Sequence, residues 1–163
     1  MNMNELSLSF SEKTVFALSS LYGKYGYSQY KMSKFEEYDL YARNKAFLIS
    51  DGVITFTDTN GKLMALKPDV TLSIIKNTKD EPDRVQKLYY NENVYRAGKG
   101  GAFKEIMQVG LECIGKIDNY SISEVILLAC KSLKAISGKA VLDVSHSGFG
   151  SGVIDSFGIS EAN

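Results

Sequence analysis

The sequence predicts an α+β fold in which helices pack on one side of a mostly antiparallel sheet. Residues 11–25 and 121–136 repeat their apolar side chains with the period of an amphipathic helix. Between them, residues 86–96 and 104–116 are strand-like and are separated by a short glycine-rich loop, which permits a hairpin but no parallel crossover. No internal repeat or linker interrupts these segments, so we expect a single packing unit.

The first half of the chain predicts one helix followed by short strands. Ser11 is placed as an N-cap for the helix and Gly26 as its stop. Strands are expected at residues 27–31, 47–49, 53–57 and 62–66, with a short surface helix at residues 34–45. Asn60-Gly61 tolerates positive φ angles, so it predicts a type I′ turn between the last two strands.

The second half predicts a short helix, the long hairpin and a second amphipathic helix. Asp69 is placed to cap the short helix at residues 71–77. In the helix at residues 121–136 the apolar stripe is expected to run through Ile122, Val125, Leu128 or Ala129, and Leu133. A strand at residues 140–144 and a third helix from residue 152 to 157 complete the prediction, before a polar tail at residues 160–163.

Composition excludes several classes of protein. The chain has 163 residues and 18.0 kDa, enough to bury a core without staples. Its 19 Lys and Arg balance 19 Asp and Glu, so a uniformly basic nucleic-acid binder is not expected. With 44% apolar residues and 2 prolines, the chain is neither disordered nor collagenous in composition.

Metal, cofactor and membrane functions are not predicted either. Cys113 and Cys130 lie in apolar runs and are expected to be reduced, buried thiols, and His146 has no partners at metal-ligand spacing. The longest apolar run, residues 125–130, is too short to span a bilayer, and residues 1–10 contain no apolar signal segment. We therefore expect a cytoplasmic protein without metal, cofactor or membrane contact.

The strand at residues 108–115 has two different faces. Alternation puts Gln108, Gly110 and Glu112 on one face and apolar residues on the other. A glycine between two long polar residues leaves room for a ligand to lie against the sheet. The alternative is an ordinary solvent-facing side of an antiparallel sheet.

Three further side chains could recognise a charged ligand. Arg96 ends its strand, where it could bind a carboxylate in a bidentate pair or be a surface arginine. Asp69 and Thr71 could accept hydrogen bonds from an ammonium group, or could cap the following helix. The loop Gly98-Lys99-Gly100-Gly101 lacks the spacing of a phosphate-binding P-loop.

Several of these segments resemble a known family. They are Leu66-Lys67-Pro68-Asp69-Val70-Thr71, Val94-Tyr95-Arg96, and the segment from Glu105 to Gly115 that contains Gln-x-Gly-x-Glu. Together they resemble histidyl-tRNA synthetase and its paralogue, the regulatory subunit of ATP phosphoribosyltransferase, over about residues 11–146. The resemblance implies the class II aminoacyl-tRNA synthetase fold, an antiparallel sheet flanked by helices, with residues 1–163 forming an incomplete, N-terminal portion of that domain.

The resemblance also implies a histidine-binding site. In it, Asp69, Thr71 and Gln108 receive the α-ammonium group of free histidine, Arg96 its carboxylate, and Glu112 the imidazole N–H. A zwitterion with a second polar ring needs acceptors at one end, a cation beside its carboxylate and a distant acceptor for the ring. These residue types therefore suit the role.

Departures from the synthetase pattern indicate which branch of the family the chain resembles. Synthetases carry a glutamate two positions after the arginine that corresponds to Arg96, whereas this chain has Ala97-Gly98 and a short loop without arginines. Histidine recognition is kept and the parts for adenylation are not. We therefore expect a non-catalytic regulatory subunit that binds histidine and confers feedback inhibition on ATP phosphoribosyltransferase, in the first step of histidine biosynthesis.

This expectation carries partners and alternatives with it. The expected partners are a short-form catalytic subunit, free histidine as effector, and a second copy in a homodimer within a hetero-oligomer, without tRNA. One alternative is a divergent or truncated histidine–tRNA ligase that activates histidine with ATP. Another is an interaction module of the same fold that has lost its ligands.

Overall fold

In a computed structural model, the described residues form five helices and six strands. The structure describes residues 8–44, 52–79, 83–98 and 100–158. In chain order the elements are α1 (Phe10–Lys24), β1 (Ser28–Gln29), β2 (Phe35–Glu37), α2 (Tyr38–Arg43), β3 (Thr55–Thr57), β4 (Leu63–Leu66), α3 (Thr71–Asn77), β5 (Val85–Ala97), β6 (Phe103–Gly115), α4 (Asn119–Ile136) and α5 (Ser147–Ser156).

The strands form two sheets in the described part of the chain. The larger has the order β1-β5-β6, with β5 and β6 antiparallel along all 13 residues of each strand and β1 parallel to β5. The smaller has the order β2-β4-β3 and is antiparallel throughout. They meet along β5 beyond its short pairing with β1, where the Tyr95 N–H donates to the Lys67 carbonyl at 2.8 Å. The predicted hairpin of β5 and β6 is confirmed.

Helices cover both faces of the larger sheet, whereas the sequence predicted them on one. On one face, Leu18 and Tyr22 of α1 and Leu128 of α4 pack against Val109 and Leu111 of β6. On the other face, Val94 of β5 packs against Val70, which precedes α3, and against Ile74 of α3. The alternation of β5 and β6 supplies apolar residues to both faces, so a helix can be buried on each. The predicted α+β class is confirmed.

Helix α1 begins two residues before the predicted position. Ser9 is its N-cap, because the Ser9 hydroxyl accepts the Glu12 N–H while the Glu12 carboxylate accepts the Ser9 N–H at 2.8 Å. This reciprocal capping box satisfies two backbone donors that the helix itself leaves free. Ser11, the predicted cap, lies inside the first turn.

We expect Ser9→Ala to lower the free energy of unfolding by about 1 kcal/mol, since it removes this cap. Ser11→Ala is the matched control, and it should change stability by less than about 0.5 kcal/mol because Ser11 is exposed within the helix. Urea unfolding of both variants measures the difference. Equal losses from the two variants would contradict the assignment of Ser9 as the cap.

The turn between β3 and β4 is not of type I′. Gly61 has φ +80°, but no described residue other than glycine has a positive φ, so Asn60 does not adopt the conformation that a type I′ turn requires. The Gly61 N–H donates to the Asp58 carbonyl, and the Asp58 N–H donates to the Lys62 carbonyl. The Asp58 carboxylate also accepts the N–H groups of Asn60 and Lys62. These bonds favour a type I turn followed by a glycine bulge.

Other predicted elements need smaller corrections. Residues 34–45 were predicted as a helix, but β2 occupies the start of this segment and α2 ends at Arg43. Residues 140–144 form no strand, and most of their side chains are exposed. The third helix begins earlier than predicted, since α5 starts at Ser147. The strand predicted at residues 47–49 and the tail at residues 160–163 lie outside the described residues.

The buried face of α4 is more polar than the predicted stripe. Its buried residues are Ser121, Glu124, Leu128 and Ser132, whereas Ile122 is 40% exposed. Glu124 can be buried because its carboxylate lies 2.6 Å from the Lys87 ammonium group, and Ser132 because its hydroxyl hydrogen-bonds that of Tyr22 at 2.8 Å. Partners on β5 and α1 therefore turn the helix away from its apolar stripe.

Both cysteines are unpaired, which agrees with the predicted reduced thiols. Both are half-buried, whereas full burial was predicted. Among the described residues, no helix is long and apolar enough to cross a membrane. The same part of the chain contains no group of three or more His, Cys, Asp or Glu side chains that could hold a metal ion.

Candidate functional site

The face of β6 that was predicted to bind a ligand lies under α3. Gln108, Gly110 and Glu112 are half-buried and point to this side, while Val109 and Leu111 pack on the opposite side against α1 and α4. Gln108 faces Glu92 on the neighbouring strand β5, and Gly110 faces Tyr90. The polar face is therefore covered by a helix and its preceding loop, and it is not an open, solvent-facing side of the sheet.

Two predicted residues lie over this face: Asp69, in the segment that joins β4 to α3, and Thr71, the first residue of α3. Asp69 Oδ1 accepts the Leu72 N–H at 3.1 Å, which confirms the predicted capping of α3. No described residue donates a hydrogen bond to Asp69 Oδ2. The Thr71 hydroxyl donates to Glu112 Oε1 at 2.7 Å, so it links α3 directly to β6. Asp69 thus caps a helix and also presents a free oxygen beside Thr71.

Arg96 approaches the same segment from the end of β5. Its Nε donates to the carbonyl of buried Pro68, the residue before Asp69, at 3.1 Å. Pro68 and Thr71 are three residues apart, so their Cα atoms are separated by at most about 11 Å. Arg96 therefore binds one end of this short segment, through Pro68, and Glu112 binds the other end, through Thr71.

Tyr90 completes the site and was not predicted from the sequence. A Cβ atom added to Gly110 would lie 2.5 Å from the Tyr90 hydroxyl, so the tyrosine ring fills the space that the glycine leaves. Tyr90 could have been predicted from the hairpin register, because an aromatic residue directly opposite a strand glycine often covers that glycine. The space above Gly110 is therefore occupied by the protein itself, and a ligand would lie beyond the Tyr90 ring.

The electrostatics of the cluster favour a cationic ligand. Burial raises the pKa of the Glu112 carboxyl and the nearby Asp69 charge raises it further, while the hydrogen bond from Thr71 opposes both. Burial also raises the pKa of Tyr90 to about 12, with smaller contributions from the Glu112 and Asp69 charges. Two carboxylates thus repel each other in a partly dry environment, and a bound cation would relieve that cost.

We expect Gly110→Ala to disturb the cluster, because its new methyl group would overlap the Tyr90 hydroxyl and force the ring away from Thr71 and Glu112. The expected cost is about 1–3 kcal/mol of unfolding free energy, together with a changed tyrosine absorbance difference spectrum on unfolding. Gly150→Ala is the control, since a Cβ there meets nothing within 4 Å. An unchanged stability of Gly110→Ala would contradict the packing of Tyr90 on Gly110.

All five predicted site residues lie on or over one face of the larger sheet. Thr71 and Glu112 are joined by a direct hydrogen bond, Asp69 lies two residues before Thr71, and Arg96 reaches the same segment through Pro68. Gln108 lies on the same face of β6, next to Gly110 in the alternation, but its side chain makes no hydrogen bond with a described residue. Its carboxamide is therefore available to a ligand rather than used by the fold.

Comparison with known proteins identifies relatives of two kinds. A histidine–tRNA ligase of Methanocaldococcus jannaschii is 31% identical over 149 residues, which cover 88% of this chain and 36% of the relative. An ATP phosphoribosyltransferase regulatory subunit of Halothermothrix orenii is 34% identical over 114 residues, covering 66% of this chain and 27% of the relative. The chain therefore spans about a third of the length of these relatives.

The fold is that of class II aminoacyl-tRNA synthetases, of which the chain covers a part. The crystal structure of a histidine–tRNA ligase subunit from Alicyclobacillus acidocaldarius superposes with a TM-score of 0.64 and 25% identity, covering 96% of this chain and 48% of the other. The family model described as histidyl-tRNA synthetase matches residues 6–163. The chain belongs to the histidyl-tRNA synthetase family.

Proposed function

We propose that this chain supplies a histidine-binding site made of Asp69, Thr71, Arg96, Gln108 and Glu112. The observation that carries the proposal is that two carboxylates lie at the start of α3, since Asp69 accepts the Leu72 N–H and Glu112 accepts the Thr71 hydroxyl. Burial and mutual repulsion raise the pKa of Glu112, so the cluster gains most from a ligand that brings positive charge or N–H donors.

Each end of histidine has a suitable partner in this arrangement. Its ammonium group can donate to Asp69 Oδ2, to the Thr71 hydroxyl and to the Gln108 carbonyl oxygen, and its carboxylate can accept from Arg96. The imidazole N–H can then donate to Glu112. Arg96 and Glu112 bind opposite ends of the segment from Pro68 to Thr71. The carboxylate and the imidazole of the ligand would therefore each have a separate partner.

The proposed role of the whole protein is that of a non-catalytic regulatory subunit of ATP phosphoribosyltransferase. The relative from Halothermothrix orenii, which carries that name, supports this role. Ala97 and Gly98 support it too, since they stand where the synthetase pattern has a glutamate for ATP. The Gly98 N–H donates to the Ala102 carbonyl at 2.7 Å.

Regulation by histidine requires that histidine bind one state of the complex better than another, since equal affinity would shift nothing. The proposed partners are the short-form catalytic subunit and a second copy of the regulatory chain, in a homodimer within a hetero-oligomer. Residues 1–163 would be the N-terminal portion of its class II synthetase-like domain.

The direct test is isothermal titration of the full-length protein with L-histidine, with L-phenylalanine as control ligand because it lacks ring N–H groups. We expect saturable heat with histidine and none with phenylalanine. Absence of heat with histidine, at protein concentrations that would reveal millimolar binding, would contradict the proposed site.

A histidine–tRNA ligase is the second candidate function, favoured by the relative from Methanocaldococcus jannaschii. Both candidates bind histidine, but only a ligase activates it with ATP. Histidine-dependent exchange of pyrophosphate into ATP by the full-length protein distinguishes them. We expect no exchange, and measurable exchange would replace the regulatory assignment by the ligase.

A further inference from the structure

Lys67 is fully buried and its ammonium group lies 3.0 Å from Glu92 Oε2. Its side chain is 0% exposed and that of Glu92 only 17%. The proposed ligand contacts use neither residue. We infer that this ion pair is a positioning device for the histidine site, an inference that rests on the proposed function.

The backbone of Lys67 places the pair next to the ligand-binding segment. Its carbonyl accepts the Tyr95 N–H at 2.8 Å and its N–H donates to the Lys34 carbonyl at 3.1 Å, so the residue is fixed between β5 and the segment before β2. Asp69 follows two positions later in the chain. A shift of the Lys67 side chain would therefore be transmitted directly to Asp69 and to its cap on α3.

The other partner, Glu92, stands on the sheet within the site. It faces Gln108 across the hairpin and lies on the same face of β5 as Tyr90 and Arg96. Without Lys67, Glu92 would add a third carboxylate to a face that already holds Asp69 and Glu112. Lys67 neutralises it, so that a ligand ammonium group at Asp69 and Gln108 meets no third uncompensated carboxylate.

Stability alone does not account for such a pair. A buried ion pair contributes little net free energy compared with apolar residues of the same volume, because both charges lose their hydration. The pair does connect two parts of the fold. It bonds Glu92 of β5, which faces Gln108, to Lys67 in the segment after β4. The pair thus sets the distance between the Asp69 segment and the floor of the site.

The first test replaces both charges, as K67M/E92Q. We expect this variant to fold with a melting temperature near that of the wild type, but to bind L-histidine about tenfold more weakly, as is usual when residues that support binding groups are removed. We also expect faster hydrogen exchange at the Leu72 amide, which donates to Asp69. Wild-type affinity together with unchanged exchange would overturn the inference.

The second test keeps the pair and reverses its direction, as K67E/E92K. This variant places a cation on the sheet opposite Gln108, where the ligand ammonium group is proposed to bind, so histidine binding should be lost although the pair can still form. The matched control is E37K/K62E, which reverses an exposed ion pair of 2.7 Å between β2 and the β3–β4 turn and should leave affinity unchanged. Histidine binding by K67E/E92K at wild-type strength would overturn the inference.

The two proposals fail in different ways. If the wild-type protein does not bind histidine, the proposed function is wrong. Hydrogen exchange at the Leu72 amide, which is measured without ligand, still shows whether the ion pair holds the Asp69 segment in place. If the wild type binds histidine and both Lys67 variants bind it equally well, only the positioning role is wrong.

Discussion

Glu112→Gln is expected to weaken histidine binding by about 10- to 100-fold, because it replaces the proposed charge-assisted hydrogen bond to the imidazole N–H by a neutral one. The glutamine keeps an oxygen that can still accept the Thr71 hydroxyl, so the link between α3 and β6 survives. Isothermal titration measures the loss. A variant that binds histidine like the wild type would remove Glu112 from the site.

The same substitution should stabilise the fold at neutral pH. Burial and the Asp69 charge raise the pKa of Glu112, so the folded state holds the proton of this carboxyl more tightly than the unfolded chain does. Its contribution to stability is complete below the unfolded pKa of about 4.3 and is lost as the pH rises through the folded pKa. Glutamine does not titrate, and the variant avoids that loss.

Thermal unfolding as a function of pH tests this sign. The melting temperature of Glu112→Gln should exceed that of the wild type at pH 7, and the difference should shrink as the pH falls toward 4. Glu105→Gln is the control, since Glu105 is exposed on the opposite face of β6 and accepts hydrogen bonds from Asn93 and Tyr95. A wild type more stable than Glu112→Gln at pH 7 would contradict the raised pKa.

The long-range features of the fold were predictable where the pattern was strong. The β5–β6 hairpin followed from two long strand-like runs and a loop too short for a crossover. Its alternation then placed Gln108, Gly110 and Glu112 on one face, as predicted. Short elements were harder, since β2 has three residues and gains its structure only by pairing with β4.

The errors share a physical cause, which is that specific side-chain hydrogen bonds and ion pairs override the local sequence pattern. Two serines lie near the start of α1, and only the one with Glu12 three positions later forms a capping box. Asp58 accepts two backbone N–H groups and changes the type of the turn that Asn60-Gly61 suggested. In α4, partners from β5 and α1 decide which face is buried.

The candidate site was predictable in its residues but incomplete in its geometry. The resemblance selected the five side chains, and the structure adds how Thr71 and Arg96 are held, through Glu112 and Pro68. Tyr90 and the buried pair of Lys67 and Glu92 depend on contacts between strands and loops far apart in sequence. No local pattern contains such contacts, so they emerge only with the fold.

Arg96→Met should lower the affinity for L-histidine by about 10- to 100-fold, because the ligand carboxylate loses a charged bidentate partner. Histamine has the ring and the ammonium group of histidine but no carboxylate. The wild type should therefore prefer histidine to histamine, and Arg96→Met should bind the two ligands about equally. The change in that ratio measures the interaction between Arg96 and the carboxylate itself.

This pair of ligands separates the two interpretations of Arg96. Its Nε also donates to the Pro68 carbonyl, so the substitution could act by loosening the segment that carries Asp69 and Thr71. Such loosening would weaken histamine and histidine alike and leave their ratio unchanged, which would contradict direct recognition of the carboxylate. Arg43→Met is the control, since Arg43 forms an exposed pair with Asp39 and should change neither affinity. Because only the carboxylate distinguishes the ligands, a collapsed ratio requires that the guanidinium group bind it.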